Sequence, residues 1–264
     1  MSRYESMFAR LRRNGEGAFG AFVVLGDPDV ETSAALLETL IEAGADMIEV
    51  GIPFSDPVAD GPVIQAAAMR ALQAGVRVDD CFALIARVRA RHADVPIGIL
   101  TYANLVLARG RQSFFDRAGR SGADSLLIAD LPSHEAGPWV GEMRSAGLDA
   151  VLIAAASTPD STLSRIAELG SGYTYCVTRG GVTGTHAGGR FDLDFLQLLR
   201  LAGAPPPIFG FGVSREEYVR SAMEAGAAGV ICGSAIVSCA AERGDVKSLV
   251  TRLKSATRNC SLPQ

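Results

Sequence analysis

The sequence predicts a (β/α)8 TIM barrel with an extra helix at each end of the chain, and three observations carry the prediction. One short pattern recurs as Glu42-Ala-Gly-Ala-Asp-Met-Ile-Glu-Val-Gly51, Arg120-Ser-Gly-Ala-Asp-Ser-Leu-Leu-Ile-Ala-Asp130, Ser145-Ala-Gly-Leu-Asp-Ala-Val-Leu-Ile153 and Glu224-Ala-Gly-Ala-Ala-Gly-Val-Ile-Cys232. In each copy a glycine (Gly44, Gly122, Gly147, Gly226) stands where a helix ends on a left-handed residue, and an apolar strand follows two residues later. The spacings of 78, 25 and 79 residues suit a unit of roughly 25 to 40 residues, one strand plus one helix. Finally, the strand-like runs are almost continuously apolar, as parallel strands covered on both faces must be.

The elements follow in order. Residues 1–13 read as an amphipathic helix with Met7, Phe8 and Leu11 on one face, and lack the apolar stretch and cleavage site of a signal peptide. Strands are expected near 19–25, 46–51, 96–102, 124–129, 149–154, 173–178, 207–211 and 228–232. Helices are expected near 31–43, 62–74, 79–92, 111–121, 134–145, 160–169, 192–202, 215–225, 234–242 and 245–258; the first helix of the chain, the one at 79–92 and the last decorate the barrel. No linker interrupts the alternation, so residues 1–264 are expected to form a single domain, a length sufficient for one large core.

Composition narrows the chemistry. With 48% hydrophobic and 20% charged residues and a formal net charge of −4, the chain is globular rather than disordered. Its basic residues are scattered, which leaves no footprint for nucleic acid. No apolar run approaches the ~20 residues of a membrane helix. Lysine occurs only at Lys247 and Lys254, in the final amphipathic stretch, which argues against Schiff-base, pyridoxal-phosphate and P-loop chemistry in this chain. The three histidines (His92, His134, His186) are too dispersed for a metal site, so metal-free chemistry is expected. The five cysteines lack Cys-x-x-Cys spacing and sit mostly in apolar runs, which suits a reducing cytoplasm.

In a barrel of this type the chemistry lies at the carboxyl ends of the strands. Glu49 stands in such a strand, where alternation turns Met47, Glu49 and Gly51 toward the axis and Ile48 and Val50 toward the helices. A carboxylate there would have a raised pKa and could give and take a proton near neutrality; a solvated or ion-paired strand end is the alternative. The following loop carries Asp56 and Asp60 around Phe54, read here as exposed. Asp60 could act in catalysis or complement the helix starting at Pro62. Glycines at Gly181-Val-Thr-Gly184, Gly210-Phe-Gly-Val-Ser214 and Gly233-Ser234 follow the sixth, seventh and eighth strands, where converging N–H groups can hold a dianion, Ser214 or Ser234 opening a helix. Phe22, Leu100, Tyr102, Leu127, Ala129, Tyr173 and Tyr175 point inward between these features and would suit a planar apolar ligand, or simply fill the core.

The residues Ile48-Glu-Val-Gly-Ile-Pro-Phe-Ser-Asp-Pro-Val-Ala-Asp-Gly61 resemble the signature of the tryptophan synthase alpha chain family throughout. Leu25-Gly-Asp-Pro28, Thr101-Tyr-Ala-Asn-Leu-Val106, Ala129-Asp-Leu-Pro132, Gly172-Tyr-Thr-Tyr175, Gly181-Val-Thr-Gly184, Gly210-Phe-Gly-Val-Ser214 and Gly233-Ser-Ala-Ile-Val237 match in family order. The resemblance implies retro-aldol cleavage of indole-3-glycerol phosphate to indole and glyceraldehyde 3-phosphate, with Glu49 and Asp60 catalytic. It places phosphate on Gly184, Gly212, Gly233 and Ser234, and the indole among Phe22, Leu100, Leu127, Tyr175 and Phe211, with Thr183 on a closing loop. It further implies no cofactor in this chain, a pyridoxal-phosphate beta chain as partner in an alpha2beta2 heterotetramer, and a cytoplasmic location. The loop after the sixth strand departs from the family pattern at Gly180 and in the Gly-rich stretch 185–190. A phospholigand-binding barrel that only switches a partner enzyme is the rival reading, disfavoured by the intact Glu49 and Asp60.

Overall fold

The computed structural model describes residues 1–177, 191–210 and 212–258. Its strands are β1 (Ala18–Val24), β2 (Met47–Gly51), β3 (Ile97–Thr101), β4 (Ser125–Ile128), β5 (Asp149–Ala150), β6 (Leu152–Ala155), β7 (Thr174–Val177), β8 (Pro207–Phe209) and β9 (Gly229–Cys232). They form one parallel sheet in the order β5-β4-β3-β2-β1-β9-β8-β7-β6. The two ends of that order, β5 and β6, are separated in sequence only by Val151, whose N–H donates to the Leu126 carbonyl at 3.1 Å. The expected fifth strand is therefore one strand broken at a single residue, its first half paired with β4 and its second with β7, and the sheet curls into a nearly closed barrel.

The helices are α1 (Arg3–Asn14), α2 (Val30–Glu42), α3 (Pro62–Gln73), α4 (Val78–Arg91), α5 (Ala103–Leu107), α6 (Arg111–Ser121), α7 (Gly137–Ser145), α8 (Asp160–Leu169), α9 (Leu193–Leu201), α10 (Glu216–Glu224), α11 (Ser234–Ala241) and α12 (Val246–Ser255). Three differ from the sequence reading, the last being α12, which ends at Ser255 rather than at 258. The five-residue α5 was not expected, because it has no side-chain cap and is too short for a periodic signal. Helix α7 starts three residues late, at Gly137-Pro138, where proline supplies a preset φ for the first turn. The recurrent glycines all adopt the left-handed conformation, with φ of 102° at Gly44, 91° at Gly122, 77° at Gly147 and 94° at Gly226.

Polar anchors fasten the amino-terminal floor of the barrel. Helix α1 begins with a capping box, in which Ser2 Oγ accepts the Glu5 N–H and the Glu5 carboxylate accepts the Ser2 N–H. Arg3 Nη1 and Arg89 Nη2 meet opposite oxygens of Asp124 at 2.7 and 2.6 Å. Lys254 of α12, buried on the floor, donates to Glu16 at 2.9 Å and to Asp46 at 2.7 Å, and Asp46 also accepts from Arg10. Asp124, Asp46 and Glu16 are thus each met by a cation, the condition under which buried charge is tolerated.

Candidate active site

Glu49 lies at the centre of β2, in register with Phe22 of β1 and Gly98 of β3. Its side chain points into the barrel, as strand parity requires, and it is 1% exposed. Tyr173, just before β7 on the opposite wall, donates its hydroxyl proton to Glu49 Oε1 at 2.5 Å. The other oxygen, Oε2, has no hydrogen-bond partner among the described residues. Burial pushes the Glu49 carboxyl up to about 7; the Tyr173 bond opposes that rise, and the negative charge of Asp60 adds to it. Of the two ordinary alternatives, solvent exposure is excluded, and no ion pair to Glu49 occurs among the described residues.

Asp60 is half-buried at the end of the β2–α3 loop, and its Oδ2 accepts the Tyr102 hydroxyl at 2.9 Å. The same phenol oxygen accepts the Ala59 N–H at 3.2 Å, so Tyr102 fixes loop backbone and carboxylate together. Burial raises the Asp60 pKa and the Tyr102 bond opposes it. Asp60 stands one residue before Gly61, the cap of α3, and makes no cap bond to that helix; its carboxylate is engaged by Tyr102 instead.

Phe22, Asp60, Leu100, Tyr175, Gly233 and Ser234 line one cavity of about 50 Å³ at the carboxyl end of the barrel. Leu127 is buried beside it, in register with Leu100, and Glu49 is linked to it through the charge of Asp60. Ser234 opens α11 with Gly233 as its cap residue, and both residues line the cavity. Gly212 has a φ of 75° and lies beyond β8 on the exposed rim. Ser214 does not open a helix, because α10 is preceded by Arg215 as its cap. Thr183, Gly184 and Phe211 lie outside the described residues. Gly210 is dictated by its neighbour, since a Cβ there would overlap the Tyr175 ring; a Cβ at Gly233 would come within 3.2 Å of the Phe22 ring, a tight contact.

Phe54 corrects the sequence reading, for it is not exposed. Its ring packs on Tyr102 at 5.3 Å between centroids, because an apolar side chain next to a barrel mouth finds a partner there. Val58, at 81% exposure, is the bare apolar residue of that loop. The sequence reading placed Tyr102 and Tyr173 on the pocket wall and missed that their hydroxyls hold the two carboxylates. The available signal was tyrosine rather than phenylalanine at inward positions.

A family model described as tryptophan synthase alpha chain matches residues 8–261. The chain belongs to the tryptophan synthase alpha chain family. The alpha chain of Vibrio parahaemolyticus is 49% identical over 90% of this chain and 89% of its own, and that of Shewanella amazonensis is 48% identical over 97% of each. A solved structure from Aquifex aeolicus superposes with a TM-score of 0.90 at 32% identity, covering 98% of this chain and 100% of that one. Tryptophan synthase of Mycobacterium tuberculosis gives 0.89 at 31% identity over 97% of this chain and 98% of that one. The family reaction is the cleavage of indole-3-glycerol phosphate, a carbon–carbon lyase step of tryptophan biosynthesis. Among the described residues, no group of three or more His, Cys, Asp or Glu side chains could hold a metal ion, and no helix is long and apolar enough to cross a membrane.

Proposed function

We propose that Glu49 is the proton donor and acceptor of this lyase and that Asp60 stabilises the charge that develops on the indole ring. The observation that carries this reading is the buried Glu49 carboxyl, with one oxygen engaged by Tyr173 and the other unpartnered. A pKa of about 7 lets it start protonated at neutral pH. Protonation of indole C3 makes the ring a cation, which the Asp60 carboxylate stabilises from the side of the ring N–H. The Glu49 carboxylate then takes the proton of the glycerol hydroxyl next to C3. As the new carbonyl forms, the C3–carbon bond breaks and its electron pair returns to the ring. Indole and glyceraldehyde 3-phosphate leave, and Glu49 ends protonated as it began.

In this reading the phosphate rests on the N–H groups at Gly233 and Ser234, with Gly212 and Gly184 completing the cradle. Phe22, Leu100, Leu127, Tyr175 and Phe211 sandwich the indole, and Thr183 belongs to the loop that closes over it. The chain needs no cofactor of its own for these steps; pyridoxal phosphate belongs to a beta chain that receives the indole, in an alpha2beta2 heterotetramer in the cytoplasm. Residues 1–264 act as one domain. The exposed Val58, between Pro57 and Asp60, supports docking of that beta chain on the loop that carries Asp60. Indole release from indole-3-glycerol phosphate, measured with and without a beta chain, tests the reading. Turnover that rises with the beta chain and needs Glu49 supports it, and absence of indole under both conditions would overturn it.

A further inference from the structure

Helix α1 stands outside the eight β/α units, yet one of its side chains reaches the barrel interior. Tyr4 is 1% exposed and enters through the amino-terminal floor. Its hydroxyl pairs with Ser125 Oγ, at the first residue of β4, at 2.8 Å. Its ring packs on the ring of Tyr173 at 5.4 Å between centroids with a 55° tilt. The slot is shaped for it by two glycines: a Cβ at Gly98 would lie 3.0 Å from the Tyr4 hydroxyl, and one at Gly172 would lie 3.3 Å from its ring. Consecutive residues of α1 hold consecutive residues of the barrel, since Arg3 binds Asp124 where Tyr4 binds Ser125. The capping box at Ser2 fixes the start of the same turn.

We infer that Tyr4 is a positioning residue for the lyase reaction, holding the Tyr173 hydroxyl on Glu49 Oε1 so that Oε2 stays turned to the substrate. The inference rests on the role proposed above for Glu49. Tyr173 has a single proton to donate, and it spends it on Oε1. A phenol ring free on one face can tilt, and a tilt of the ring swings the hydroxyl at its far end, while a 2.5 Å hydrogen bond tolerates little displacement. Tyr4 packs against that ring, and the slot bounded by Gly98 and Gly172 keeps Tyr4 in place. Charge agrees with this arrangement. Glu49 is faced by Tyr173, by Tyr175 and by Asp60, and Tyr4 by Asp124, Asp149 and Glu49 itself, so burial and surrounding acids keep all three phenols neutral and able to donate.

The test compares Tyr4→Leu, which loses the planar face, with Tyr4→Phe, which keeps it. With the full chain, Tyr4→Leu is expected to lower kcat for indole release about tenfold while KM for indole-3-glycerol phosphate changes less than about twofold, and Tyr4→Phe to stay within about twofold of wild type. The Glu49 limb of the pH–rate profile should move to higher pH in Tyr4→Leu, because a slackened Tyr173 bond opposes the effect of burial less. If Tyr4→Leu does not fold, Tyr4→Met, an apolar filler without a flat face, carries the same expectation. A second readout is independent of turnover: the 13C resonance of the Glu49 carboxyl, assigned by its loss in Glu49→Gln, should titrate at higher pH in the leucine variant. A folded variant with wild-type kcat and an unmoved Glu49 titration would overturn the inference, as would a loss of kcat that Tyr4→Phe shares in full. A wild-type chain that releases no indole but shows the titration difference would remove the lyase reading and leave the contact between Tyr4, Tyr173 and Glu49 standing.

Discussion

Glu49 and Asp60 are each held by one tyrosine hydroxyl and each raised in pKa by burial, but they belong to regions of different construction. Glu49 sits on a strand, with neighbours fixed by ladder register on both sides and a phenol from the far wall. Asp60 sits on a loop, half-buried, tied by Tyr102 through both its carboxylate and the backbone of Ala59. A strand positions a side chain through many bonds that must break together, whereas this loop depends on few. In the roles proposed above, the group that moves protons is on the rigid element, and the group that supplies charge is on the element a partner could reach.

The contrast breaks most sharply at Glu49. Glu49→Gln keeps shape and loses the transferable proton, so kcat should fall by at least about a thousandfold while affinity for a phosphate-bearing product analogue stays within severalfold. Steady-state indole release with calorimetric binding checks both, and substantial turnover in the folded variant would end the acid–base assignment. Asp60→Asn should cost about a hundredfold in kcat, less because only charge opposite a cation is lost. Lost thermal stability without lost turnover would return Asp60 to a structural role.

Glu49 also predicts a stability difference. Its carboxyl is raised from 4.5 to about 7, so the folded chain holds that proton more tightly than the unfolded one. The pH-linked part of the cost of burying this group is therefore absent below about pH 4.5, grows from there to about pH 7, and is constant above, on the order of 3 kcal/mol. Glu49→Gln should accordingly melt above wild type at pH 8, with the gap shrinking toward pH 4.5. Equal Tm values at both ends of that range would remove the raised pKa.

Smaller effects sharpen the comparison between wall and rim. Tyr173→Phe should lower kcat about tenfold and move the Glu49 limb upward in pH, whereas Tyr102→Phe should cost only a few fold in kcat and loosen the loop, read as faster amide exchange at Ala59. Reversed magnitudes would mean that the rim, not the wall, sets the geometry. The smallest effect is expected at Val58→Ser: about severalfold weaker association with a beta chain by titration calorimetry and an unchanged unpartnered rate. In the docking proposed above, Val58 rather than Phe54 meets the partner, because the Phe54 ring packs on Tyr102.

Local chemistry made most of this molecule legible. Gly44, Gly122, Gly147 and Gly226 announced four helix ends because a left-handed residue is a local demand, and all four have positive φ. The inward parity of Glu49 followed from strand alternation alone. What stayed hidden depends on contacts far apart in the chain. Tyr173 lies 124 residues from the carboxylate it holds, and no pattern of spacing reports that. Asp60 had two plausible surroundings in sequence, a helix start and a pocket, and the bond from Tyr102, 42 residues on, could not be read there. The inward turn of Phe54 has the same origin. The break at Val151 reflects how a closing sheet shares one short strand between two neighbours, which the residue's own apolar character could not convey.

The two lysines differ in a way that makes the chain its own reporter. Lys247 is exposed, while the Lys254 ammonium is enclosed by Glu16, Asp46 and the Gly17 carbonyl on the barrel floor. An acylating reagent that modifies neutral amines will label Lys247 in the native chain and reach Lys254 only when α12 lifts from the floor. The ratio of the two labels, followed over time by peptide mass, therefore measures how much of the time the carboxyl-terminal helix is lifted when reclosing outpaces acylation, in the presence of every other component of an assay and with no probe added to the protein.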